Sequence, residues 1–122
     1  MADIYTQEFL YHYREQPYEK KLERHTHVGS DTNTACGDEI KITLFVQNGI
    51  IKDVGYSQDA CIVSQASVSI LVQEIVGKKL SDVKKLSVDE FMNMLNIELT
   101  SGRQKCALVG FNALKEAIKD ES

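Results

Sequence analysis

A β-hairpin is predicted by residues 40–56, IKITLFVQNGIIKDVGY. Apolar residues occupy the even positions from 40 to 46, and the residues between them are polar except for Phe45. This alternation is typical of a strand with one buried face. Asn48 and Gly49 then form the dipeptide of a type I′ turn, because both positions tolerate positive φ. We therefore place an antiparallel hairpin at residues 39–57, within a small antiparallel sheet.

Amphipathic helices are predicted on both sides of this hairpin. Residues 3–16 repeat aromatic side chains every four positions, with Asp3 as the N-cap and Pro17 as the limit of the helix. Between residues 64 and 76 the apolar positions follow the period of a helix with a single apolar face, and Gly77 follows as its C′ residue. These elements predict an α+β fold, in which helices pack on one small antiparallel sheet.

Three further segments complete this assignment of elements. Residues 87–90, SVDE, match a capping box at the start of a helix. Another helix is predicted to begin near residues 101–104, SGRQ, because apolar residues follow at helical spacing. Residues 25–35 are polar, in contrast, and we predict a loop there.

The composition excludes several classes of protein. The chain has 122 residues, 43% of them hydrophobic and 26% charged, which predicts one folded domain over residues 1–122. Its net charge of −4 argues against a nucleic-acid partner, because such binding needs a dense positive surface. No apolar run approaches ~18 residues and no signal peptide is visible, so we expect no membrane partner and a cytoplasmic location.

Three cysteines, Cys36, Cys61 and Cys106, are the candidate reactive residues. An odd number cannot pair completely within one chain, and no CxxC occurs, so we expect neither a disulfide scaffold nor a zinc finger. All three lie at predicted element boundaries, and two precede or open helices, whose positive ends favour the thiolate. Asp38 follows Cys36 at i+2, the spacing at which side chains of an extended segment share one side. The residues alone leave open inert buried thiols, a shared site for zinc or an iron–sulfur cluster, and a redox or nucleophilic cysteine.

Around these cysteines the sequence resembles the IscU/NifU-type family of iron–sulfur cluster scaffolds. The resemblance rests on TACGDEI at residues 34–40, CIVSQASVS at residues 61–69 and RQKCAL at residues 103–108. It covers nearly the whole chain and implies an IscU/SufE-like α+β architecture. It also implies that Cys36, Asp38, Cys61 and Cys106 converge at one exposed end, where they bind a transient [2Fe–2S] cluster or zinc.

The same resemblance implies a function and partners. Such a scaffold accepts sulfur from a cysteine desulfurase as a persulfide, builds a cluster with iron, and passes it to apo iron–sulfur proteins. Cys36 is the candidate persulfide acceptor, and Cys61 and Cys106 are ligands that could replace it in that role. Asp38 is the candidate fourth ligand or release gate. We expect a monomer or a weak dimer.

Residues 105–107, Lys-Cys-Ala, depart from the scaffold pattern, which has His before the last cysteine. They are similar to the SufU branch and suggest the alternative of a zinc-dependent sulfurtransferase that relays persulfide and activates the desulfurase. The 45-residue step from Cys61 to Cys106 is too short for the SufU insertion and favours the scaffold. A zinc-stabilised binding module without sulfur chemistry is a third interpretation. We predict that Lys105 pairs with Asp38 in an empty site or offsets the charge of a loaded one.

Three serines, Ser64, Ser67 and Ser69, lie on the predicted helix that follows Cys61. A reactive serine needs a base beside it, and the sequence indicates none. We therefore expect these serines to cap the helix and pack within the fold.

Overall fold

The computed structural model describes residues 6–35 and 37–119, and within them it shows an α+β fold. Among these residues, three antiparallel strands form one sheet, in the order in which they occur along the chain, with helices packed against it. The elements are α1 (Gln7–Glu15), β1 (His27–Asn33), β2 (Asp38–Gln47), β3 (Ile50–Asp59), α2 (Ile62–Ile75), α3 (Leu80–Lys84), α4 (Val88–Leu95) and α5 (Ser101–Ile118). In the part of the chain so described, no helix is both long and apolar enough to cross a membrane.

The predicted hairpin is confirmed as β2 and β3. Asn48 and Gly49 have φ values of 55° and 77°, as the turn requires. The alternating residues of β2 point into the core, where Ile40, Ile42 and Leu44 are fully buried. Phe45, which interrupts the alternation, is half-buried, and the guanidinium carbon of Arg24 lies 5.2 Å from its ring centroid.

The prediction of a loop at residues 25–35 was wrong, because His27–Asn33 forms the edge strand β1. This strand pairs along its whole length with β2 and packs against α5. Its buried position is Gly29, where an added Cβ would lie 2.2 Å from the carbonyl oxygen of Ala113 in α5. The helix backbone thus lies almost on the strand, and only glycine fits between them. A strand whose buried residue has no side chain shows no hydrophobic alternation.

Helix α2 occupies the centre of the fold. The predicted helix at residues 64–76 is confirmed, and Gly77 follows it with φ +86°. The prediction that this helix has a single apolar face was wrong. Helix α2 contacts α1, α4, α5 and β3 and is buried on most of its circumference. The hidden part of that surface consists of small residues, including Ala66 and the three predicted packing serines. Periodicity detects large apolar side chains and misses small ones.

The helix ends largely follow the signals in the sequence. Helix α1 ends before Pro17 as predicted, and its N-cap is Thr6, whereas Asp3 lies outside the described residues. Ser87 and Glu90 form the predicted capping box of α4. Thr100 caps α5: its side-chain oxygen accepts a hydrogen bond from the backbone N–H of Arg103 at 3.4 Å.

A buried polar network joins α1 to α2. We call it the histidine cluster, and its residues are His12, Gln16, Tyr56 and Ser69. His12 Nδ1 is hydrogen-bonded to Ser69 Oγ at 2.6 Å. The Tyr56 hydroxyl donates to Gln16 Oε1, and Gln16 Nε2 donates to the His12 carbonyl at 2.9 Å. Burial lowers the pKa of His12, outweighing the nearby Glu8 and Glu74 carboxylates, and it raises the pKa of Tyr56. Both side chains are therefore neutral near pH 7.

Candidate metal centre

Three candidate metal ligands meet where three elements begin. Asp38 is the first residue of β2, Cys61 is the N-cap of α2, and Cys106 lies in the second turn of α5. A carboxylate oxygen of Asp38 and the two sulfur atoms all lie within 4.8 Å of one another. The packing of α2 against α5 and of α5 against β2 brings together residues that are far apart in sequence.

The carboxylate of Asp38 is buried and held by the first turn of α2. The backbone N–H of Cys61 donates to Oδ1 at 2.9 Å, and the Ser64 hydroxyl donates to Oδ2 at 2.9 Å. The sulfur of Cys61 lies 3.9 Å from the same Oδ2. Each carboxylate oxygen therefore has a hydrogen-bond donor, and Oδ2 is the one that faces the thiol.

Ser64 belongs to this site, although the sequence pointed only to a capping or packing role. Its side chain is fully buried, and its Oγ lies 2.7 Å from the carbonyl oxygen of Cys106 and 3.6 Å from the sulfur of Cys61. The signal that could have found it is the i+3 spacing from Cys61, which puts both residues on one side of a helical turn. We call Asp38, Cys61, Ser64 and Cys106 the thiol cluster.

The thiol cluster opens onto a cleft of about 450 Å³. The cleft is lined by Cys61, Thr100, Gly102, Arg103 and Cys106. Cys61 is half-buried, whereas Cys106 is 2% exposed and Asp38 is 2% exposed. A small ion or a partner's side chain can therefore reach Cys61 from the cleft. The other two candidate ligands, Asp38 and Cys106, are buried in the protein interior.

The remaining predicted site residues have different outcomes. Cys36 lies outside the described residues, so its place in the site stays a prediction. Lys105 is exposed, and within residues 6–35 and 37–119 no ion pair joins it to Asp38. The carboxylate is instead held by Cys61 and Ser64. A role of Lys105 beside a loaded site stays a prediction.

The donor set suits a thiophilic metal. Two sulfur atoms and one carboxylate are ligands that zinc accepts, and thiolates are the usual ligands of iron–sulfur clusters. Tetrahedral zinc separates its ligand atoms by about 3.3–3.8 Å, as its bond lengths of about 2.0–2.3 Å require. The distance of 3.9 Å between Asp38 Oδ2 and Cys61 Sγ is close to that range. Cys61 and Cys106 with Asp38 would hold such an ion, and a fourth donor would complete the site.

Comparison with known proteins identifies relatives over nearly the whole chain. The family model described as NifU-like N terminal domain matches residues 4–121. The chain is 29% identical to the iron–sulfur cluster assembly scaffold protein IscU of Thermotoga maritima, covering 95% of this chain and 93% of that protein. It is 27% identical to the zinc-dependent sulfurtransferase SufU of Bacillus subtilis, covering 97% and 91%.

Comparison with solved structures finds the same fold. A crystal structure described as an iron–sulfur cluster assembly scaffold protein for the SUF system, from Fervidobacterium islandicum, superposes with a TM-score of 0.79. Its sequence is 22% identical, and the match covers 94% of this chain and 96% of that one. The predicted IscU/SufE-like α+β class is confirmed at the level of the fold.

Proposed function

The chain belongs to the family of NifU-like N terminal domains, and from this membership we propose that it is a scaffold for iron–sulfur cluster assembly. In this proposal, residues 1–122 form one domain that accepts sulfur from a cysteine desulfurase and binds iron. The finished [2Fe–2S] cluster is cargo, which passes to apo iron–sulfur proteins. Zinc is the proposed occupant of the same site when iron and sulfide are absent.

The observation that carries this proposal is the position of the thiol cluster. Two thiols and a carboxylate lie within 4.8 Å of one another and open onto a cleft. A resident structural metal is usually enclosed by four protein ligands, whereas a cargo must enter and leave. A donor set that is buried on one side and open on the other suits loading and release.

Sulfur transfer requires a thiolate that a partner's persulfide can reach. The acceptor thiolate attacks the outer sulfur of the desulfurase persulfide, the donor's S–S bond breaks, and the desulfurase cysteine leaves as a thiolate. Cys36 is the proposed acceptor. Of the two described thiols, Cys61 is the more exposed and is the proposed substitute for it.

Asp38 is the proposed release gate. A carboxylate is a harder ligand than a thiolate and binds thiophilic ions less strongly, so it is the donor whose bond is most easily exchanged. We expect Asp38→Ala to retain a reconstituted cluster longer than the natural chain. An equal lifetime of the visible cluster chromophore in both proteins would argue against the gate.

The proposal extends to the setting in which the protein works. The partners are a cysteine desulfurase and apo iron–sulfur proteins, and nucleic acid and membrane are not among them. A reducing cytoplasm would keep the cysteines as thiols. The proposed oligomeric state is a monomer or a weak dimer.

A second candidate function is a zinc-dependent sulfurtransferase that relays persulfide and activates the desulfurase. It is favoured by Lys-Cys-Ala at residues 105–107 and by the likeness to the Bacillus subtilis protein. In that function zinc would stay at the thiol cluster, and no iron–sulfur chromophore would form.

One reconstitution experiment separates the two functions. The chain is purified anaerobically, its zinc and iron are measured, and a cysteine desulfurase, cysteine and ferrous iron are added. A chromophore that transfers to an apo-ferredoxin supports the scaffold. Stimulation of the desulfurase by the zinc-loaded chain without a chromophore supports the sulfurtransferase. If the chain gives neither response, both proposed functions are overturned.

Two variants act as controls in this experiment. Cys61→Ser should remove the response of whichever function is present, because it deletes a proposed ligand on the cleft. Ser67 lies on the same helix about one turn beyond Ser64, and Ser67→Ala should leave the response unchanged. Loss of the response in both variants would indicate damage to the fold and not to the site.

A further inference from the structure

The side chain of Ser64 contacts all three elements that carry the candidate ligands. Its Oγ lies 2.9 Å from Asp38 Oδ2 on β2 and 2.7 Å from the Cys106 carbonyl on α5. It also lies 3.6 Å from the sulfur of Cys61 at the start of its own helix. We propose that Ser64 is a positioning residue, which orients Asp38 for metal ligation and so sets how tightly the site binds its ion. This inference rests on the metal-binding part of the proposed function.

The chemistry of a hydroxyl explains how Ser64 can both form and release a hydrogen bond to the Asp38 carboxylate. Ser64 has one hydrogen, whereas Asp38 Oδ2 and the Cys106 carbonyl are two acceptors within its reach. Rotation about the Cβ–Oγ bond moves the hydrogen from one acceptor to the other while the oxygen stays in place. Ser64 can therefore give up its bond to Asp38 without becoming an unsatisfied buried donor, which would destabilise the fold.

The first turn of α2 contacts both oxygens of the Asp38 carboxylate. The Cys61 N–H donates to Oδ1 at 2.9 Å and belongs to the backbone, so no substitution of that side chain removes it. Ser64 donates to Oδ2 at 2.9 Å, and the Cys61 sulfur lies 3.9 Å from the same oxygen. Without the Ser64 hydroxyl, Oδ2 loses its shorter contact, and the carboxylate can turn about its bond to the Cys61 N–H.

The expected effect is a weaker metal site in a chain that still folds. Groups that hold metal ligands in place typically contribute about 10–100-fold to metal affinity. We expect Ser64→Ala to lower the affinity for zinc by about that factor. Because alanine is smaller and a good helix former, α2 should remain folded.

Ser67 provides a matched control on the same helix. It is as fully buried as Ser64, but its Oγ has no hydrogen-bond partner among residues 6–35 and 37–119. Ser67→Ala is therefore the same chemical change at the same depth, without a link to Asp38. A general effect of removing a buried hydroxyl from α2 would appear in both variants.

The test measures zinc affinity of the full chain by anaerobic competition with a chromogenic chelator. We expect Ser64→Ala to lose about 10–100-fold, Ser67→Ala to equal the natural chain, and Ser64→Thr, which keeps the hydroxyl, to retain most of the affinity. Equal affinities for Ser64→Ala and Ser67→Ala would overturn the proposal. Failure of the natural chain to bind zinc would instead overturn the metal site itself, and the two failures are thus distinguishable.

A double-mutant cycle with Asp38→Ala tests whether Ser64 acts through the carboxylate. If it does, adding Ser64→Ala to Asp38→Ala should change zinc affinity by no more than about twofold, the scatter between independent sites. A further loss of about 10–100-fold in that background would show that Ser64 acts on the site by another route, and it would overturn the positioning role. Circular dichroism and urea unfolding of the metal-free variants check that each one is folded.

Discussion

Helix α2 carries two buried polar clusters that differ in what surrounds them. The thiol cluster at its N-terminal end joins α2 to β2 and α5 and opens onto a cleft. The histidine cluster around Ser69 joins α2 to α1 and β3, and its members His12 and Tyr56 are no more than 1% exposed. In both clusters a serine of α2 bonds to a residue distant in sequence.

The difference shows how one rigid helix can support exchange at one place and fixed packing at another. In the thiol cluster Ser64 has two acceptors for one hydrogen, so bonds can be exchanged without leaving a group unsatisfied. In the histidine cluster Gln16 uses both ends of its amide, bonding Tyr56 and the His12 carbonyl. The first arrangement tolerates a change of partners, and the second resists one.

Cys106→Ser should cause the largest difference between the two clusters, because it should weaken zinc binding at the thiol cluster alone. We expect zinc affinity to fall by more than the ~10–100-fold typical of a residue behind the ligands, because a ligand itself is replaced by a poorer one. The histidine cluster should be untouched, so the pH dependence of unfolding should not change. Zinc competition and urea unfolding measure the two parts separately. Natural affinity in this variant would remove Cys106 from the ligand set.

Gly110→Ala should perturb the thiol cluster from a distance. An added Cβ would lie 2.8 Å from Cβ of Val68, where α5 crosses α2, so the helices must move apart. Overpacking of this kind costs about 1–3 kcal/mol, and the shift should also weaken zinc binding because Cys106 is one turn away. Urea unfolding and zinc competition give both numbers.

Gly102→Ala is the control for this change on the same helix. Nothing lies within 4 Å of an added Cβ there, so the unfolding free energy should stay equal or rise by up to about 1 kcal/mol. Equal stability of both variants would contradict the close crossing of α2 and α5.

Protonation should weaken the histidine cluster at low pH. Burial lowers the pKa of His12 in the folded chain, whereas an unfolded histidine has a pKa of about 6.5. Below pH 6.5 the unfolded chain takes up a proton that the folded chain excludes. The stability from His12 is therefore fully present above pH 6.5. It falls by at most about 1.4 kcal/mol per pH unit as pH decreases toward the folded pKa.

His12→Asn tests this pH dependence. Asparagine can keep the bond to Ser69 but does not titrate, so its unfolding free energy should fall less between pH 7 and pH 5.5 than that of the natural chain. Urea unfolding of the metal-free proteins is the measurement, and His25→Gln, at an exposed site, should follow the natural curve. Parallel curves for His12→Asn and the natural chain would refute the role of His12.

Ser67→Ala should have the smallest effect. Its buried hydroxyl has no partner in the described part of the chain, so removal should be neutral or stabilise the fold by up to about 1 kcal/mol. Ser69→Ala should cost about 1–3 kcal/mol instead, because it leaves the buried His12 ring without its partner. Urea unfolding of the pair compares them directly, and equal values would show that the histidine cluster contributes little.

Sequence patterns predicted the elements that large side chains or turn residues define. The hairpin at residues 39–57 and the capping box at residues 87–90 are of this kind, and both are present. Sequence patterns did not predict the elements that pack through backbone atoms or small residues. The buried residue of β1 is Gly29, and a second buried side of α2 includes Ser67. Neither residue contributes to hydrophobic periodicity, so the pattern did not predict that strand or that buried side.

The sequence by itself determined the chemistry available to this protein, since residue identity sets which atoms can bind a metal. It supplied the thiols, the carboxylate of Asp38, and the strands and helices at whose ends they lie. Only the tertiary structure decided which of these groups meet and which neighbour holds each one. Ser64 shows the reason: its two acceptors are 26 and 42 positions away along the chain, and such contacts follow from the packing of whole elements.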